Sequence, residues 1–306
     1  MLTRIGTPVA SLKVLLAEVI DYAGLFPPAS LDMMSCVNNY SRYLHSPERW
    51  ALGRFVLPVA RLDEFLNAQE NVASEPWHVT GIISSNTVRD LAAVAEFNRN
   101  APGAVIDSIE ARVQSESEIS SIAQHLPPDS IAHFEISPEQ AARLLPVIRR
   151  IGAQAKLRTG GVVEDAFPAL TAIVEFISLC AEQRVPFKAT AGLHHPLRSM
   201  KPLTYEPDAR TGMMHGFLNL FTAAAIAWRR ADAGNAEPRK TLASCLADEE
   251  RANWHFDDRA MTWSGGDEPV RISTEALRAT REHFAHSFGS CSFEEPLNDL
   301  HQLDLL

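Results

Sequence analysis

Seven short apolar, β-rich runs alternate with helical runs through the first two thirds of the chain, and this alternation limits the fold more than any other feature. Such an order marks βα units around a parallel sheet. The spacing predicts strands around Val19-Ile20-Asp21, at Arg54 to Val59, Trp77 to Ser84, Ala104 to Val113, Ile131 to Ile136, Ala153 to Thr159 and Val185 to Ala191. Ser30 is the expected cap of the first helix after the first strand, ahead of Met33, Met34, Val37 and Tyr40. Ser137-Pro138-Glu139 opens another helix with a cap and a first-turn proline. No GxGxxG turn follows the first strand, so a dinucleotide fold is disfavoured. The expected fold is α/β, a (β/α)8 TIM barrel in one domain over residues 1–306, with a C-terminal insertion or decoration within about 197–270. The eighth strand falls after Arg239, with Asn253 to Trp263, extended or a hairpin, and Phe288 to Phe293 as alternatives. Asp232 to Glu237 reads as the most mobile loop.

Composition excludes some functions. A net charge of -10 gives no general attraction to nucleic acid or an anionic membrane. The longest apolar stretch, Phe217 to Trp228, is interrupted by Asn219 and Thr222 and is too short to span a bilayer. Met1 to Ile20 lacks a secretory signal pattern, and the four cysteines form no CxxC pair, so a cytoplasmic protein with reduced thiols is expected. The expected partner is a small-molecule substrate, with a homo-oligomer open.

Strand alternation then sorts the charges, because residues two apart share a face. Ser108, Glu110 and Arg112 share one face of the fourth strand, and His133 and Glu135 one face of the fifth. Lys156 and Arg158 share a face of the sixth, and Lys188 and Thr190 a face of the seventh. Their apolar opposite faces suit the helical shell, so the polar faces point into the lumen. Barrel interiors are ordinarily filled by Val, Ile and Leu, with charge gathered at the catalytic end. A lumen salt-bridge network that only fills space is the bland alternative.

Two lysines on neighbouring strands suit amine chemistry, since one ammonium favours the neutral form of the other. Lys156-Leu157-Arg158-Thr159-Gly160-Gly161 and Lys188-Ala189-Thr190-Ala191-Gly192-Leu193, with Asp21 on the first strand, resemble the deoxyribose-phosphate aldolase group of class I aldolases. The resemblance implies that Lys156 forms a Schiff base, Lys188 is its electrostatic partner, and Asp21 relays protons or positions. This chain departs from that group after the seventh strand, where Ala191-Gly192-Leu193-His194-His195-Pro196 replaces a glycine-rich phosphate loop. A phosphorylated substrate is therefore not implied, and Arg158 could clamp a carboxylate instead.

The expected catalytic residues are Lys156, Lys188, Asp21, Glu110 and Glu135; the expected substrate contacts are Arg112, His133, Arg158, Thr190, His194, His195 and His215. Leu197 to Gly212 reads as a lid, and Phe26-Pro27-Pro28 as a pocket wall. Cys291 has no base implied beside it. The expected activity is an aldolase- or dehydratase-type lyase on a small oxo-acid or sugar-like carbonyl compound, without a cofactor. The alternatives are a hydrolase or isomerase using Glu and His ligands to a divalent metal, for which no HxH, HExxH or HxxxH spacing exists, and a non-catalytic ligand-binding barrel. For a Schiff base the carboxylates must lie nearer Arg112 or Lys188. A close ion pair between Lys156 and a glutamate argues for the metal or binding readings.

Overall fold

A computed structural model describes residues 8–70, 72, 76–101, 103–234 and 238–306. Eight parallel strands close into a barrel: β1 (Ile20–Tyr22), β2 (Leu52–Pro58), β3 (Trp77–Ile82), β4 (Ala104–Arg112), β5 (Ile131–Glu135), β6 (Gln154–Arg158), β7 (Phe187–Thr190) and the closing strand Ala285–Ser290. Each pairs with the next, and the closing strand pairs β7 on one side and β1 on the other. The fold is therefore the expected (β/α)8 barrel. Barrels of this kind are commonly enzymes, with the site at the C-terminal ends of the strands.

Helix α1 (Ala10–Leu16) precedes the barrel, and α2 (Met33–Leu44), α3 (Leu62–Gln69), α4 (Thr87–Asn100), α5 (Glu116–Ala123), α6 (Ala141–Arg150) and α7 (Leu170–Gln183) follow β1 to β6 in turn. The outward strand faces supply their packing surface. Ile109, Ala111, Ala132 and Phe134 are buried on that side, as period-two alternation requires. Asp32, not Ser30, caps α2: its carboxylate accepts from the Ser35 amide at 2.8 Å, which satisfies one of the unpaired N–H groups of the first turn. Ser30 instead adopts a left-handed φ of 45° in the loop before it. Ser137 makes no capping bond, and Pro138 begins a single 3₁₀ turn that leads into α6.

The long connection between β7 and the closing strand holds several elements. A hairpin of β8 (Ser199–Pro202) and β9 (Thr211–Met214) is followed by α8 (Phe217–Asp232) and α9 (Arg239–Ala247). An antiparallel sheet of β10 (Trp254–Phe256), β11 (Ala260–Trp263) and β12 (Val270–Ser273) comes next, then α10 (Thr274–His283). Asn253 to Trp263 therefore contributes to a separate sheet and not to the barrel. The eighth barrel strand, β13 (Ala285–Ser290), overlaps the other candidate and starts three residues earlier. Helix α11 (Glu294–Gln302) ends the fold. Of the loop expected to be most mobile, Asn235, Ala236 and Glu237 lie outside the described residues. Among the described residues, no helix is long and apolar enough to cross a membrane.

Candidate active site

The barrel lumen carries one chain of alternating charge. Asp21, at the start of it, is 1% exposed and saturated. Its Oδ1 accepts from the Arg54 amide at 2.9 Å, and its Oδ2 accepts from Ser287 Oγ at 2.8 Å and from Lys188 Nζ. Gly53 is required here, because a Cβ at that position would collide with the Asp21 carboxylate. Lys188 then reaches Glu110 Oε1 at 2.6 Å, and Glu110 Oε2 meets Lys156 Nζ at 2.6 Å. Lys156 also meets Glu135 Oε2 at 3.0 Å, and Glu135 Oε1 accepts from Arg158 Nε at 2.9 Å. The order is Asp21, Lys188, Glu110, Lys156, Glu135, Arg158, with each charge beside its opposite.

Register makes this chain. Lys156 pairs across to Glu135 on one side and to Lys188 on the other. Burial alone would neutralise such groups, but the partners outweigh it. Burial pushes the Glu110 carboxyl up, yet Lys156 and Lys188 hold it well below the ordinary carboxylate range. Glu135 is likewise raised by burial and lowered further by Lys156 and Arg158. Burial opposes the charge on Lys188, and Asp21 and Glu110 overcome it and hold the ammonium above its usual range.

A cavity of about 480 Å³ opens above this chain at the C-terminal ends of the strands. Glu110, Glu135, Lys156, Arg158, Arg112 and Thr190 line its floor and side, with His194 and His195 at the β7 loop. Phe26, Pro27 and Pro28 form a wall, as expected. Pro202, Leu203, Thr204 and Tyr205 reach over it from the β8–β9 hairpin, so Leu197 to Gly212 covers the pocket with a hairpin. The loops leaving β6 and β7 touch: Gly192 has a left-handed φ of 74°, and a Cβ on it would lie 2.9 Å from Gly160 Cα. Only glycine fits there without strain.

Several expected site residues stand elsewhere. Lys188 and Asp21 lie beneath the floor and do not border the cavity, because Glu110 covers them. They can position charge but cannot touch a ligand in the cavity. His133 is deeper still; its Nδ1 is 3.2 Å from Ser108 Oγ, and burial and Lys188 hold it neutral, well below the usual histidine range. His215 turns away from the cavity. Its Nε2 donates to the Pro168 carbonyl at 3.0 Å, and its Nδ1 is sealed without a partner among the described residues. The separation of Lys156 from carboxylates, needed for a free amine, is absent: two glutamates hold its Nζ.

Reasoning from strand alternation missed the carboxylates of α11. Glu295 Oε2 lies 3.2 Å from His194 Nδ1 and accepts from Tyr205 Oη at 2.9 Å. Asp299 Oδ2 lies 2.6 Å from His195 Nδ1. The signal was an acidic pair spaced i, i+4, which shares one helix face. Cys291 lines the cavity too, but burial pushes its thiol up, away from the nucleophilic thiolate. Among the described residues, no three His, Cys, Asp or Glu side chains are grouped to hold a metal ion.

No protein-family model matches the chain, and comparison with curated proteins gives no match.

Proposed function

We propose that the protein is a lyase that breaks a carbon–carbon or carbon–oxygen bond beside the carbonyl of a small oxo-acid or sugar-like substrate. One observation carries the reading: Lys156 is the one lysine among the described residues that lines the cavity, and it lies between two carboxylates that line it too. Bond cleavage beside a carbonyl places negative charge on the carbonyl oxygen, and a fixed cation in a water-poor site stabilises that charge as it develops. Lys156 meets the oxygen as an ammonium. Arg158, whose side chain is 49% exposed, and Arg112, which has no ion pair among the described residues, hold a substrate carboxylate. Lys188 and Asp21 fix Glu110 from below, and Glu110 fixes Lys156.

The double ion pair of Lys156 argues against the Schiff base that the resemblance to the deoxyribose-phosphate aldolase group implies and, as expected from the sequence, toward the metal or binding readings. The non-covalent lyase is a binding reading with chemistry added, in which the paired lysine serves as a fixed cation. The covalent form is the second reading. It is favoured by the register pairing of Lys156 with Lys188 through a shared carboxylate, and it requires Glu110 or Glu135 to take the Lys156 proton. Sodium borohydride separates the two in the presence of 4-hydroxy-2-oxo acids and short aldoses. Turnover without a reduced adduct on Lys156 supports the non-covalent form, and an adduct found by mass spectrometry supports the covalent one. Binding of these compounds without turnover would overturn both in favour of a non-catalytic barrel.

A further inference from the structure

The strand residues supply a cation for the carbonyl oxygen but a poor base. Glu110 and Glu135 are each shared by two cations and held below the ordinary carboxylate range. Retro-aldol cleavage needs a group that takes a proton near neutral pH. Such a group stands on the other side of the same cavity.

His195 is 6% exposed and lines the cavity at the loop after β7. Its Nδ1 donates to Asp299 Oδ2 at 2.6 Å. That bond fixes the tautomer and leaves Nε2 as an acceptor. Nε2 has no partner among the described residues and is not one of the sealed polar atoms, so it is accessible, on a ring that lines the cavity. Asp299 is placed by α11, far along the chain, and its other charged neighbour is Lys201 Nζ at 3.7 Å on β8. His194 is a weaker candidate: its carboxylate partner is farther, at 3.2 Å, and is divided between His194 and Tyr205.

We propose that His195 is the proton-transfer base of the reaction and that Asp299 is its positioning residue. This rests on the lyase reading. His195 Nε2 takes the proton of the substrate hydroxyl β to the carbonyl. The O–H electron pair becomes the new C=O bond, the carbon–carbon bond breaks, and its electrons form an enolate. The Lys156 ammonium donates a hydrogen bond to the enolate oxygen. The imidazolium, stabilised by Asp299, then returns the proton to the enolate carbon, which yields the second carbonyl product and a neutral His195.

The charged and titratable groups around the ring are Asp299 and Glu295 on α11, Lys201 on β8 and the neighbouring His194. Burial and Lys201 favour the neutral ring; Asp299 and Glu295 oppose them, and the balance lies below the usual histidine range. The base is therefore in its working form at neutral pH.

Two measurements test the dyad. Imidazole ¹⁵N NMR, with His195 assigned by the loss of its signals in His195→Gln, needs no substrate. The expected result is an Nδ1–H tautomer titrating below pH 6.5, with a midpoint that falls further in Asp299→Asn. An Nε2–H tautomer, or a midpoint that Asp299→Asn leaves unmoved, overturns the proposal. The second measurement follows pyruvate release from 4-hydroxy-2-oxo acids. His195→Gln is expected to lower kcat about 100-fold or more, the usual worth of a general base, with KM nearly unchanged. Asp299→Asn is expected to lower kcat less and to move the acid limb of the pH profile downward. If Lys156→Ala abolishes release and His195→Gln does not, the dyad fails and the lyase reading stands. If His195→Gln abolishes it and Lys156→Ala does not, the lysine role fails and the dyad stands. If wild type releases no pyruvate, the lyase reading fails for this substrate class and the NMR result alone decides the dyad.

Discussion

Lys156 Nζ lies 2.6 Å from Glu110 Oε2, and the other oxygen of that carboxylate lies 2.6 Å from Lys188 Nζ. A single buried carboxylate thus joins the two lysines that strand alternation brings to neighbouring β6 and β7. Glu110 is the hinge of the charge chain, and removing it leaves two buried ammonium groups short of a partner. Breaking a buried pair by deleting one partner costs about 3–5 kcal/mol, because the remaining charge is uncompensated. Glu110→Gln is expected to lose stability of that order in urea unfolding, far more than Glu64→Gln at the exposed Arg61–Glu64 pair.

The buried histidines set an acid limit on stability. Burial, aided by Arg281, pushes His286 down to about 4, and burial lowers His133 and His215 as well. A histidine whose folded value is depressed binds its proton more readily when unfolded, so stability is full above the unfolded value near 6.5 and is lost as pH falls toward the folded value. For His286 alone the loss from pH 6.5 to below pH 4 is roughly 3 kcal/mol. Thermal unfolding between pH 7 and pH 4 is expected to show a falling Tm, with a shallower fall in His286→Gln.

At lower pH the glutamates take over. Glu110 and Glu135 are depressed below their usual 4.5, so their contribution is present above that value and is lost as pH falls through their folded values. Lys188 has the opposite sign: it is raised above 10.5, so its contribution holds below that value and is lost as pH rises through the folded one. Urea unfolding as a function of pH is expected to show both limits, with Glu110→Gln flattening the acid one below pH 4.5.

Tyr205 ties the β8–β9 hairpin to α11 through its bond to Glu295. It is a partly exposed contact, so its loss is expected to cost about 1 kcal/mol or less of global stability. Tyr205→Phe is expected to leave Tm nearly unchanged while faster proteolytic cleavage appears between residues 203 and 210.

Much of this was legible in the chain. Period-two alternation placed Glu110, Glu135, Lys156, Arg158 and Lys188 in the lumen, and the βα order placed seven strands. Alternation says which face a residue occupies; it does not say how high it stands or which neighbour it meets. Those depend on register between strands, and so Lys188 and His133 fell below the floor and Lys156 met Glu110. β13 was hard to see because Ala285–Ser290 carries polar residues such as His286 and Ser287 in place of a continuous apolar run. Asn253 to Trp263, richer in aromatic residues, competed for the place and is a hairpin of two strands in another sheet. The bond from His195 to Asp299 joins residues 104 apart, beyond the reach of any local pattern.

The role of Lys156 at the substrate carbonyl is tested most directly by turnover of Lys156→Ala against wild type on a compound that wild type cleaves, with folding checked by urea unfolding. The charge it supplies acts on the developing enolate, and loss of such stabilisation costs about 100- to 1,000-fold in kcat. A loss of that size or greater in a folded variant is the predicted result; full retention of kcat would contradict the account.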